Sequence, residues 1–144
     1  MTTTGALEIR RLRAEELAGA FELIRELRPH LDCTEFLRRV ELQSANGYEL
    51  AGAFVDGVLV GLAGMRAVMT LARGPHLHLD DLVVRETQQR YGIGRALLEF
   101  AENDARRRGL GKLFLDARQE AIPFYEKQAY RFHEAPLMRK DLQP

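Results

Sequence analysis

Apolar residues recur at two different periods along this 144-residue chain, and the changes of period mark out its elements. Residues 7–10, Leu7-Glu8-Ile9-Arg10, alternate as a short edge strand does. Over 14–27, Leu17, Phe21, Ile24 and Leu27 fall at helical spacing. Arg28-Pro29 ends that helix, because proline disfavours the helical conformation in the residue before it. Asp32 followed by Glu35 is a capping pair that opens a second helix carrying Phe36, Leu37, Val40 and Leu42, and Gly47 closes it. Residues 48–55 and 58–70 flank Asp56-Gly57, a two-residue turn suited to positive backbone angles, and so predict a β-hairpin. Residues 77–84 read as a further strand. A long helix follows over 93–108, with Ile93, Leu97, Leu98, Ala101 and Ala105 as its apolar stripe and Gly109 as its stop. Residues 112–117 predict a buried strand, 121–127 a short helix, and 130–134 and 137–142 two brief closing strands.

The order is strand, two helices, three strands, helix, strand, helix, one or two strands. A crossover helix between two strands makes that pair parallel, whereas the hairpin makes the rest antiparallel. The expected fold is therefore α/β (α+β), with a mixed central sheet of six to seven strands and about four helices. No repeat, low-complexity tract or linker interrupts it, so a single domain is expected over 1–144, with its core about 7–142.

Composition narrows the function. The apolar fraction is 46% and the charged fraction 29%, ordinary for a globular chain. Lysine plus arginine number 21 against 21 aspartate plus glutamate, so no overall electrostatic pull toward nucleic acid or anionic membrane is expected. Cys33 is the sole cysteine, which excludes an internal disulfide and a thiolate zinc cluster, and no metal is expected. Residues 1–5 lack the basic-then-apolar pattern of a signal peptide. The longest mostly apolar stretch, 58–71, is broken by Arg66 and glycines and is too short to span a bilayer. A cytoplasmic location is the expectation.

The chemistry concentrates at Gln89-Arg90-Tyr91-Gly92-Ile93-Gly94-Arg95. Glycines remove side chains where backbone must approach a ligand. The first amides of the following helix lack internal partners and carry the positive end of its dipole, a cradle for a pyrophosphate. Arg90 and Arg95 add charge at the rim. Two glycines before a helix are also plain turn chemistry. The turn is neither a P-loop, lacking Gly-Lys-Ser/Thr, nor a dinucleotide fingerprint, lacking the third glycine.

The run Leu79-Asp80-Asp81-Leu82-Val83-Val84, then this turn, then a helix with Ala96-Leu97-Leu98, resembles the GNAT family of N-acetyltransferases. Ala121-Ile122-Pro123-Phe124-Tyr125-Glu126-Lys127 resembles that family's second signature, and the two stand in the family's order and separation. The resemblance covers about residues 7–142. It implies the acyl-CoA N-acyltransferase fold, with a splay after the fourth strand, and transfer of an acetyl group from acetyl-CoA to an amine by direct attack in a ternary complex. Amides of Gln89 to Arg95 would bind the CoA pyrophosphate. Backbone of Leu82, Val83 and Val84 would lie along pantetheine, with an amide near Leu82 on the thioester oxygen. Tyr125 matches the general acid that protonates the departing thiolate; its other reading is core packing beside Phe124.

The base is variable in the family. His78, Asp80 and Asp81 are the candidates here, with Asp80 placed first. Alternation sets His76, His78 and Asp80 on the face opposite Leu77 and Leu79, and a bulge near Asp81 would upset that parity. Asp81 as a backbone cap and His78 as a solvated strand residue are the bland alternatives. Three positions depart from the family pattern: Arg118 in place of asparagine, Ala129 in place of glycine, and Glu86 in place of proline. The acceptor, a small-molecule or peptide amine, is expected against residues 27–33, where Arg28 and His30 lie, against Arg66 and against the loop after Thr70. A non-catalytic acyl-CoA-binding regulatory module is the alternative function, and use of a longer acyl-CoA is a third. Homodimers are common in the family, and nothing in the sequence locates an interface.

Overall fold

The computed structural model describes residues 5–143, with Arg90 described by its backbone alone. Strand β1 (Leu7–Arg11) leads through a short 3-10 turn to helices α1 (Leu17–Leu27) and α2 (Cys33–Ser44). Strands β2 (Tyr48–Val55), β3 (Val58–Thr70) and β4 (Gly74–Val84) follow. A 3-10 segment (Glu86–Tyr91) precedes α3 (Ile93–Arg107), and β5 (Leu113–Leu115) and α4 (Ile122–Lys127) complete the elements. The sheet runs β1-β2-β3-β4-β5. Its first four strands are antiparallel neighbours, and β5 lies parallel to β4, as a crossover through α3 requires.

Local chemistry accounts for the elements. Asp32 caps α2, accepting a 2.8 Å hydrogen bond from the Glu35 amide. Asp56 and Gly57 both take positive φ, 51° and 79°, which a two-residue hairpin with the right-handed twist of its strands demands. The amphipathic helices then cover both faces of the sheet. Ile93, Leu97, Leu98 and Ala101 of α3 pack on Ala63, Met65, Leu77 and Leu79. On the other face Ala20, Leu23 and Ile24 of α1 and Phe36 and Val40 of α2 meet Tyr48, Leu50 and Leu62.

Three expectations are corrected. The sheet has five strands among the described residues, not six to seven, because residues 130–134 and 137–142 enter no ladder. Alternation signals a strand only where an edge receives it. Here β5 forms three residue pairs with β4, and the chain beyond it is anchored by side chains instead: Tyr130 donates a 2.7 Å hydrogen bond to Glu102, and His133 meets the Phe114 ring edge-on. For the same reason β5 is shorter than the expected 112–117. Strand β4, conversely, starts at Gly74, since β3 extends far enough to pair it down to the Thr70 turn.

The feature that positions the site lies in β4. Gly64 pairs with Asp81 and Met65 with Leu79, leaving Asp80 as an extra, unpaired residue. This bulge breaks the alternation, so that Asp80 and Asp81 both face the α1–α2 side. Beyond it β4 and β5 part: their pairing stops at Leu79 with Leu115.

Candidate active site

Between the parted strands opens a cleft of about 480 Å³. Residues 79–84 of β4 form one wall, and Leu115, Asp116, Phe124 and Tyr125 stand opposite. Gln89, Gly92, Gly94 and Arg95 close one end, and Leu27 and Arg28 border the bulge.

Backbone direction along the β4 wall follows from one hydrogen bond. The Arg85 amide donates to Val60 at 2.7 Å, extending the β3–β4 ladder. Antiparallel pairs alternate in direction, so Val83 and Asp81 also turn their peptide groups toward β3. Those of Leu82 and Val84 point the other way, into the cleft. The Val84 carbonyl there accepts a 3.0 Å hydrogen bond from Gln89 Nε2, which ties the glycine turn to the strand. Leu82 N–H faces open space.

At the closed end, Gly92 takes φ +76° and no side chain caps α3. The first intrahelical bond runs from the Ala96 amide to the Gly92 carbonyl, so the amides of Ile93, Gly94 and Arg95 carry no helix-internal bond. Gly94 lies on the cleft wall: a Cβ there would sit 3.4 Å from Phe124 and 3.7 Å from Val84, and anything larger would fill the space. The Ile93 side chain is buried in the core, so only its main chain belongs to the site. Arg95 is exposed and paired with Glu99 at 3.3 Å, and Tyr91 is exposed at the rim. The side chain of Arg90 lies outside the described residues.

Tyr125 is half-buried, with its ring edge-on to Phe124 and Tyr130, and it borders the cleft. Burial raises its pKa above the ordinary phenol value, with Arg118 pulling weakly downward, so the hydroxyl stays protonated. Arg118 itself lines the same cleft. Ala129 takes φ +71°, keeping the left-handed turn that glycine would otherwise supply.

The three base candidates are in different states. Asp81 is fully engaged: Tyr48 donates to its Oδ2 at 2.7 Å, and Arg28 Nε donates to Oδ1 at 3.1 Å. Arg28 also reaches the Asp80 carbonyl at 2.8 Å. Asp80 accepts from Arg66 at 2.7 and 3.2 Å and holds His78 Nδ1 at 3.0 Å. Burial pushes the Asp80 carboxyl up, but the hydrogen bonds from His78 and Arg66 outweigh it and hold the group below the usual carboxylate range. An ionised Asp80 only accepts, so His78 Nδ1 carries the proton and Nε2 is the basic atom of the neutral ring. Asp80, placed first on sequence grounds, lines the cleft together with Asp81, whereas His78 stands behind it and reaches the cleft only through this linked pair.

Arg28 and Arg66, expected to face the acceptor, hold these carboxylates, and His30 is exposed. Tyr48 carried no signal in the sequence. Its partner stands 33 residues away, and only the register of β2, β3 and β4 brings them together. Among the described residues no cluster of three His, Cys, Asp or Glu could hold a metal ion, and no helix is long and apolar enough to cross a membrane.

With this geometry in hand, residues 12–130 match the acetyltransferase (GNAT) family. The chain is 31% identical over 130 residues to an uncharacterised N-acetyltransferase of Bacillus subtilis (strain 168), covering 88% of this chain and 92% of that protein. It is 31% identical over 149 residues to the glucosamine 6-phosphate N-acetyltransferase of Trypanosoma brucei brucei, covering 99% and 100%. Among solved structures, an acetyltransferase of Trypanosoma brucei superposes with TM-score 0.77 at 30% identity, covering 95% and 100%. The fold is shared with an aminoglycoside N-acetyltransferase solved with CoA, at TM-score 0.82, 19% identity and coverage of 96% and 97%.

Proposed function

Because the chain belongs to the acetyltransferase (GNAT) family, and so is an enzyme that moves an acetyl group onto an amine, we propose that acetyl-CoA occupies the β4–β5 cleft with its diphosphate on the first amides of α3. One observation carries the reading. The uncapped start of a 15-residue helix and the outward-turned amide of Leu82 open onto the same cleft. Donors along a strand and at a helix mouth suit an amide-rich arm that ends in a diphosphate.

Acetyl-CoA brings to this cleft an activated thioester, and the rest is the work of the chain. Leu82 N–H is placed to donate to the acetyl oxygen as negative charge develops there, an effect worth about 3 kcal/mol. His78 Nε2 takes the proton of the attacking amine through water, since His78 stands behind Asp80 and not on the cleft wall itself, with Asp80 holding the ring and Arg66 holding Asp80. The nitrogen–carbon bond forms, the carbon–sulfur bond breaks, and Tyr125 gives its proton to the departing sulfur. Direct attack by the amine needs no acyl-enzyme, so Cys33, at the start of α2, has no part in the step.

The acceptor of the trypanosomal relative makes a phosphorylated amino sugar the first class to test. Release of CoA thiol is to be followed with acetyl-CoA and a panel of amines that includes glucosamine 6-phosphate, amino acids and peptides. We expect thiol release matched by acetylated amine for at least one acceptor. Tight CoA binding with no release against the whole panel would count for a binding module instead.

A further inference from the structure

On the α1–α2 face of the sheet lies a group that the transfer chemistry leaves unused. Leu113 and Leu115 pack toward α3, so Phe114 between them points to the opposite face, level with His78. The guanidinium of Arg73, just before β4, stacks 4.3 Å above the Phe114 ring. His76 and His133 approach the same ring edge-on, at 5.0 and 5.2 Å. His76 is committed, its Nδ1–H donating to the Gly74 carbonyl at 2.9 Å.

Arg10, Arg11, Arg28, Arg66 and Arg108 each lie against a carboxylate, whereas Arg73, like Arg85, Arg106 and Arg131, has no ion pair among the described residues. Of these four, Arg73 alone is stacked on an aromatic ring there. Stacking uses the face of a guanidinium and leaves the N–H donors of its edge free, in the fork that matches an oxyanion. The aromatic platform fixes the plane of that fork. His133, edge-on to the same ring, is 35% exposed at its side chain, and its weak 3.7 Å approach to the exposed Glu134 leaves it able to join.

Position sets what such an anion belongs to. Phe114 is level with His78, four residues before Leu82, and at about 3.3 Å per residue the two rows lie on the order of 10 Å apart. We propose that Arg73, held flat on Phe114, binds a phosphate group of the acceptor, at the end of the acceptor site remote from the reacting amine. The proposal rests on the reading that the acetyl group lies beside Leu82. It selects an amine whose phosphate stands several bonds away, such as a phosphorylated amino sugar, over an α-amino acid whose carboxylate adjoins its amine.

The test uses the full chain with glucosamine and glucosamine 6-phosphate as acceptors, in wild type, Arg73→Ala and Arg73→Lys. The expected wild-type KM is at least tenfold lower for the phosphorylated sugar. Arg73→Ala is expected to raise that KM at least tenfold, with the KM for glucosamine and for acetyl-CoA unchanged and partial recovery in Arg73→Lys. Equal KM for the two sugars in wild type, or equal effects of Arg73→Ala on both, would overturn the proposal. Titration with inorganic phosphate, read by the ring signals of Phe114 and His133 in NMR, decides it independently of turnover. Shifts in wild type that vanish in Arg73→Ala support the site, and no shift in wild type overturns it even if acetyl transfer proceeds. Shifts without acetylation of either sugar would leave the phosphate site standing and count against the amino-sugar acceptor alone.

Discussion

Tyr48 of β2 donates a 2.7 Å hydrogen bond to Asp81 of β4, reaching across β3 above Gly64. The contact fixes the bulge from which the cleft opens, and it exists because residue 64 has no side chain. A Cβ at that position would collide with the Tyr48 hydroxyl and lie 2.8 Å from Asp81 Oδ2. Burial and the neighbouring Asp81 carboxylate both raise the Tyr48 pKa well above its ordinary value, so it donates at any working pH.

Gly64→Ala is therefore expected to lower stability by about 1–3 kcal/mol, through crowding and a broken buried hydrogen bond, and to lower acetyl transfer with it. Chemical denaturation and initial rates check both. A variant of unchanged stability and rate would remove Tyr48–Asp81 from the support of the site.

Tyr125→Phe removes the proton donor and keeps the ring in place. The expected outcome is a fall in kcat of about 100-fold with acetyl-CoA affinity nearly unchanged. Steady-state kinetics beside a CoA titration separates the two, and an unaltered kcat would leave Tyr125 with packing alone.

His78 and Asp80 act as one unit if Asp80 works by orienting the ring. His78→Asn and Asp80→Asn should each lower kcat/KM by about 10-fold to 100-fold, and the double variant should be little worse than His78→Asn. Multiplying losses would show that Asp80 has a separate function, such as that of the base itself.

Acid stability follows from carboxylates held below their ordinary range. Arg10 and then the Arg13 amide lower Glu16 to about 2, and Arg38 and Arg39 lower Glu35 to about 2. Burial raises the Asp104 carboxyl, but hydrogen bonds from Arg108 and Arg11 outweigh it and the group ends below its ordinary value. A depressed folded-state pKa contributes stability that is present above the unfolded value and is lost as pH falls through the folded one. The melting temperature should hold down to about pH 5 and drop between there and pH 2, and Asp104→Asn should lower it already at pH 7. A thermal-shift series over pH checks this, and a flat profile to pH 2 contradicts it.

Much of this arrangement was legible in the residues alone. Asp56-Gly57, the Asp32 cap, the α3 stripe and the glycine turn act through neighbours in sequence, and each stands where local chemistry puts it. What escaped depends on distant partners. Residues 130–134 and 137–142 read as two brief strands, but whether they become strands depends on the length of the β5 edge. The roles of Asp80 and Asp81 depended on which cations met them, and Arg28, Tyr48 and Arg66 arrive from a helix end and two other strands. The bulge expected near Asp81 is there, with Asp80 as its extra residue; what the sequence did not show is that it turns both carboxylates to one face.

Main-chain donors are the heart of the account, and they are best observed as amides. Titration of the isotope-labelled chain with CoA, followed by backbone amide NMR shifts, should give its largest changes at Leu82, Ile93, Gly94 and Arg95. Binding with those four amides undisturbed, or no binding at all, would contradict the placement of CoA between β4 and β5.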